Sequence, residues 1–213
     1  MLDYREFQNH KDVPPTKLLV MIHGYGSNKN DLIHLSPELS TFLPHALFIS
    51  PSAPFSFDGT INSELKQWFS LLDRSKNILL NNIEIAADII VKFICFQLKK
   101  LNLSENDLYL LGFSQGTMLS LYMILKSLIR PKLILGYSGM LFNHQWKYNN
   151  KNTQVMLIHG KEDHIIPVED MLSTIKILKQ YGFNASYHIQ RHLAHGIDKD
   201  GIKIGGKFLQ KHV

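Results

Sequence analysis

The sequence predicts an α/β fold: a mostly parallel central sheet with helices on both faces. Two observations carry this. Short, bounded apolar runs alternate along the chain with longer runs at helical spacing, the pattern of strands joined by crossover helices. The 213 residues, 45% hydrophobic and 10% aromatic, are also enough for a sizeable core, with no linker-like, repetitive or low-complexity tract between them. One domain spanning residues 1–213 is expected.

Taken in order, KLLVMI (Lys17–Ile22) and ALFIS (Ala46–Ser50) read as buried strands. A helix follows from Ile78 to Lys100, with Ile83, Ala86, Ala87, Ile90 and Ile94 on one face. DLYLLGF (Asp107–Phe113) is a strand and QGTMLSLYMILKSL a helix. KLILGYS (Lys132–Ser138) and QVMLIH (Gln154–His159) repeat the strand signal. A helix from Val168 to Gln180 stops near Gly182, ASYHIQ is a further strand, and a helix from Ile202 to Lys211 closes the chain. The stretch from Pro51 to Asn77 fits neither period and reads as a long excursion, a kind of segment that is often functional. In such a sheet the active groups belong at the carboxyl ends of the strands.

The net charge of +5 and the pI near 9.2 come from basic residues scattered along the chain, which reads as a basic solvated surface and not a nucleic-acid site. A single cysteine excludes an internal disulfide, and Cys95, within an apolar helical stretch, is expected in the core. The first residues carry mixed charges with no apolar run, unlike a signal peptide, and no stretch approaches the roughly 20 apolar residues of a membrane span. A cytoplasmic protein with no stable membrane insertion is expected.

The strongest chemical signal is Gly112-Phe113-Ser114-Gln115-Gly116, a G-x-S-x-G motif with a strand before it and a helix after it. A serine on so sharp a turn is held above the sheet, and the flanking glycines leave room for the backbone beside it. This context predicts an α/β-hydrolase fold with Ser114 as nucleophile. Serine needs a base, and the chain order nucleophile, acid, histidine removes every histidine before Ser114. His195, in HLAHGID before the closing helix, is the candidate base, with His192 the runner-up. Asp163, after the Gln154–His159 strand, is the acid that fixes the imidazole. Its neighbours Glu162, Glu169 and Asp170 compete, although the last two suit a helix's first turn. His188, His192 and His195 invite a metal reading, but HExxH is absent and no metal is expected. Backbone N–H groups of Gln115 and of Tyr25, the latter between Gly24 and Gly26 after the first buried strand, are the candidate oxyanion donors.

The stretches IHGYGSNKNDL, ISPSAPF, QWFSLLD, LLGFSQG, IHGKEDHIIP and HLAHGI, in that order across residues 17–210, closely resemble the phospholipase/carboxylesterase family of small α/β-hydrolases. That family includes the acyl-protein thioesterases. The resemblance implies the triad Ser114, Asp163 and His195, with Tyr25 and Gln115 as oxyanion donors. Trp68-Phe69 resembles the family's Trp-Phe pair and implies an apolar wall for an acyl chain, but Ser70 stands where Asp often follows. It further implies no cofactor, no large cap domain, and hydrolysis of a small acyl ester, a lysophospholipid or an acylated protein. A catalytically idle binding protein and a peptidase are the competing readings; the first would lack a triad member and the second would carry an added domain.

Overall fold

The structure is a computed structural model that describes residues 1–59, 64–142 and 152–213. Its strands are β1 (Tyr4–Gln8), β2 (Lys17–Ile22), β3 (Ala46–Pro51), β4 (Phe55–Ser56), β5 (Lys66–Gln67), β6 (Leu108–Phe113), β7 (Leu133–Tyr137), β8 (Gln154–Gly160) and β9 (Asn184–Gln190). The helices are α1 (Ser36–Leu39), α2 (Lys76–Leu101), α3 (Gln115–Leu125), α4 (Val168–Gln180) and α5 (Lys199–Lys211).

Seven strands form one sheet in the order β1-β3-β2-β6-β7-β8-β9. All pairings in it are parallel except that of β1 with β3. The central strands read as unbroken apolar runs because both of their faces are covered. Leu18, Val20 and Ile22 of β2 join the layer built with α2, α3 and α4, whereas Leu19 and Met21 join the layer with α1 and α5. This is the α/β-hydrolase architecture, and no large cap domain covers it among the described residues.

Helix ends follow local chemistry. Asp198 caps α5 by accepting a hydrogen bond from the Gly201 N–H. At the end of α2, Asn102 takes the left-handed conformation (φ 55°), while Leu103 N–H bonds back to the Leu98 carbonyl and Lys99 and Lys100 face the helix's negative end.

Several features depart from the sequence expectations, among them the short helix α1. Strand β1 was not expected, since YREFQ lies at the sheet edge, half-covered and mostly polar. The Pro51–Asn77 excursion, of which residues 60–63 lie outside the described residues, contains the small antiparallel pair β4–β5. Cys95 is exposed instead of buried, because α2 turns Ile83, Ala87, Ile90 and Ile94 inward and position 95 falls about 100° off that face. No helix is long and apolar enough to cross a membrane among the described residues.

One buried group of α2 makes a specific prediction. The Gln97 side chain is buried with its amide Nε2 unpartnered, and such an orphaned donor costs about 1–3 kcal/mol. Gln97→Met keeps the shape and removes the donor. It is expected to raise the midpoint of thermal unfolding, and an unchanged or lower midpoint would show that the amide is satisfied in solution.

Candidate active site

Ser114 lies between β6 and α3 at φ 51° and ψ −113°, a conformation that costs a side-chain-bearing residue about 1–3 kcal/mol. A Cβ on Gly112 would stand 2.5 Å from the Thr117 nitrogen, and one on Gly116 only 1.8 Å from the Ile22 carbonyl oxygen. The motif's glycines therefore let β6, α3 and the end of β2 meet. Ser114 N–H is anchored on the Tyr137 carbonyl at 2.9 Å, and Thr117 Oγ1 donates to the same oxygen at 2.9 Å.

Asp163 and His195 come together from the loops after β8 and β9. His195 Nδ1 lies 2.8 Å from Asp163 Oδ2. The carboxylate can only accept, so Nδ1 carries the proton and Nε2 is left with the lone pair of a base. Asp163 Oδ1 accepts from the backbone N–H groups of Ile165 and Ile166, both at 2.9 Å. Burial pushes the Asp163 carboxyl up, but the donors from Ile166 and His195 outweigh it and hold the group below the usual carboxylate range. A second, buried histidine shares this acid. His159 Nε2 is 2.8 Å from the Ile166 carbonyl and 3.2 Å from Asp163 Oδ2.

The competing residues lie elsewhere. His192 is exposed and pairs with Glu162, His188 contacts Gln190, and Glu169 and Asp170 occupy the first turn of α4. His144, one of the histidines after Ser114, lies outside the described residues. The described residues contain no cluster of His, Cys, Asp and Glu suited to a metal.

Tyr25 follows β2, which pairs with β6 in a register that sets Ile22 beside Gly112, so the loop after β2 runs next to Ser114. His23 locks that loop. Its Nδ1 donates to the Gly24 carbonyl at 2.7 Å and its Nε2 accepts from the Ala53 N–H at 3.0 Å, which defines a single uncharged tautomer.

The expectation for Trp68 and Phe69 needs correction. Both are fully buried, and neither lines the cavity at Ser114. Trp68 Nε1 donates to the His23 carbonyl at 3.0 Å. Phe69 stands behind the wall, its ring edge-on to Phe142 at 6.4 Å between centroids. The pair braces the pocket from outside.

The cavity itself has a volume of about 490 Å³ and opens over Ser114, Gln115, Tyr25 and His195. Leu71, Leu79, Met118, Met140, Phe142 and Ile165 make its walls apolar, with Arg74 the one arginine or lysine that lines it among the described residues. Ser114 Oγ and His195 face this space without a direct hydrogen bond among the described residues, a looseness common before substrate binds. A larger hollow of about 740 Å³ lies at the amino ends of β6, β7 and β8, but no histidine base lines it. The sequence reading missed these cavity walls, which come from separate loops and helices with no common motif. The paired Ile165-Ile166 directly after the acid loop was the one available signal.

The profile of the phospholipase/carboxylesterase family matches residues 5–213. The chain belongs to that family. Among similar proteins, "Esterase YpfH" of Escherichia coli (strain K12) is 24% identical over 197 residues, covering 91% of this chain and 82% of that protein. "Acyl-protein thioesterase 1" of Kluyveromyces lactis is 25% identical over 215 residues, covering 94% of each. Among solved structures, that of esterase PE8 superposes with a TM-score of 0.87 at 28% identity, covering 100% of this chain and 99% of the other.

Burial of His23 makes the loop's stability pH-dependent. Burial pulls the ring's pKa from 6.5 down to about 4. The unfolded chain therefore binds this proton first as pH falls, and the contribution present above pH 6.5 is lost between 6.5 and about 4. The loss amounts to about 3 kcal/mol. Urea unfolding at pH 7.5 and 4.5 checks this: His23→Gln should be less stable at pH 7.5 yet lose less on acidification. Equal losses in both proteins would remove His23 as the cause.

Proposed function

We propose that this protein hydrolyses carboxylic esters or thioesters through an acyl-enzyme on Ser114. The observation that carries the reading is the Asp163-bonded His195 ring, at 2.8 Å, facing the same apolar cavity as a serine held at positive φ. In this reading His195 Nε2 takes the Ser114 proton as Oγ attacks the substrate carbonyl. The backbone N–H groups of Tyr25 and Gln115 receive the oxyanion, and Asp163 stabilises the imidazolium. His195 then returns the proton to the departing alcohol or thiol. Water enters by the same steps and releases the acid, with no cofactor.

The cavity walls suit an apolar acyl chain, and relatives named esterase and acyl-protein thioesterase point the same way. Small acyl esters, lysophospholipids and acylated proteins are the substrate classes proposed.

Hydrolysis of short-chain p-nitrophenyl esters tests the reading. Ser114→Ala should abolish turnover. Asp163→Asn preserves shape but favours the wrong His195 tautomer, and should lower kcat by about 10⁴-fold with little change in folding. Full activity in Ser114→Ala would refute the mechanism, and full activity in Asp163→Asn would remove Asp163 from the triad.

A further inference from the structure

Asp58, in the excursion between β3 and α2, gathers four hydrogen-bond donors on one carboxylate. Oδ2 accepts from the Tyr25 hydroxyl at 2.9 Å, Ser70 Oγ at 2.7 Å and the Leu71 N–H at 3.2 Å; Oδ1 accepts from Gln67 Nε2 at 2.7 Å. The Asp58 N–H in turn donates to Gln67 Oε1 at 2.7 Å. Three chain segments therefore converge on this residue: the loop after β2, the turn at Asp58 itself, and the strip Gln67–Leu71.

Gln115 holds the same strip from its other side. Its Oε1 accepts from the Trp68 N–H at 2.8 Å, and its Nε2 donates to the Phe69 carbonyl at 2.7 Å. Tyr25 and Gln115, the two residues assigned to the oxyanion hole, are thus joined through one strip of backbone. Leu71, at the end of that strip, also lines the acyl cavity. The Tyr25 ring is seated edge-on against Phe57 at 4.7 Å, and the Gly26 N–H bonds the Lys66 carbonyl at 2.9 Å, so the loop bearing Tyr25 docks along its length.

We propose that Asp58 is a positioning residue for the oxyanion hole, fixing the Tyr25 backbone against the strip that Gln115 grips. The proposal rests on the hydrolase reading above. The chemistry explains why a carboxylate is needed. A carboxylate accepts at both oxygens and can satisfy all four donors, whereas an amide must turn its NH₂ toward at least one of them. It also explains the serine at position 70: an aspartate there would set two carboxylates side by side, and Ser70 donates instead. The clasp holds its charge state across neutral pH. Burial pushes the Tyr25 phenol up to about 12, with the Asp58 hydrogen bond adding to it, so the phenol remains a donor. Burial raises the Asp58 carboxyl, but hydrogen bonds from Ser70, Gln67 and Tyr25 overcome this and hold it below its ordinary range.

The test compares wild type, Asp58→Asn, Tyr25→Phe and the double variant on p-nitrophenyl butyrate, with thermal unfolding followed alongside. Misplacing one donor should lower kcat about 10-fold or more in Asp58→Asn with KM within about twofold, since full loss of such a donor costs about 10²–10³-fold. Tyr25→Phe removes one bond of the clasp and leaves the other three donors in place, so it carries the test if Asp58→Asn fails to fold. Its kcat should also fall, and the double variant should be no worse than Asp58→Asn alone. Unchanged kcat in Tyr25→Phe, or strictly multiplicative effects in the double variant, would overturn the proposal. A wild type inactive on every ester would instead overturn the hydrolase reading. The clasp is then judged from backbone amide NMR: Tyr25 and Gln115 resonances should both move in Tyr25→Phe, and a Gln115 resonance that stays in place would refute the coupling.

Discussion

At the carboxyl end of β2 the backbone of the turn between β6 and α3 comes so close that a single methyl group would not fit. A Cβ on Gly116 would lie 1.8 Å from the Ile22 oxygen, well inside van der Waals contact. Everything at the site depends on this approach. Ser114 beside it stands at φ 51° and ψ −113°, and the strain is held by an α3 helix whose every residue from Gln115 to Leu125 is buried. The approach also seats the loop after β2 directly beside Ser114. The strained serine and the loop after β2 meet at this one close approach.

Parallel topology delivers the remaining groups. β8 and β9 are neighbours whose register ends with Gly160 beside Gln190, so the loops that follow them leave the sheet together. Lys161 N–H bonds the Gln190 carbonyl at 2.7 Å and Glu162 N–H bonds the Leu193 carbonyl at 3.0 Å. These backbone bonds tie one loop to the other, and the Asp163–His195 contact follows from them. A carboxylate that already accepts two backbone N–H groups has little freedom to rotate, so the imidazole bonded to it is aimed.

Much of this was legible in the sequence because it rests on local pattern. The α4 boundaries Val168–Gln180 coincide with the expected helix, where apolar spacing, first-turn acids and a following glycine agree. The strand–Gly-Phe-Ser-Gln-Gly–helix unit was readable because its serine and glycines stand at fixed spacing within five residues, although what Gly116 meets, the Ile22 carbonyl of β2, is remote in sequence. Other features depend on contacts remote in sequence. Asp58 looks like any polar loop residue until Tyr25, Gln67 and Ser70 are folded around it. The family resemblance of Trp68-Phe69 implies a substrate wall, whereas Trp68 is held on the His23 carbonyl and Phe69 against Phe142 as supports. Cys95 shows that an apolar stretch of helix still has an outward side.

The central claim is that the fold activates one serine among many. Treating the protein with a fluorophosphonate and mapping the adduct by peptide mass spectrometry tests it most directly. The account predicts a single stoichiometric adduct on Ser114, formed in wild type and lost in His195→Ala. An adduct spread over other hydroxyls, or one on Ser114 that forms as fast without His195, would contradict it.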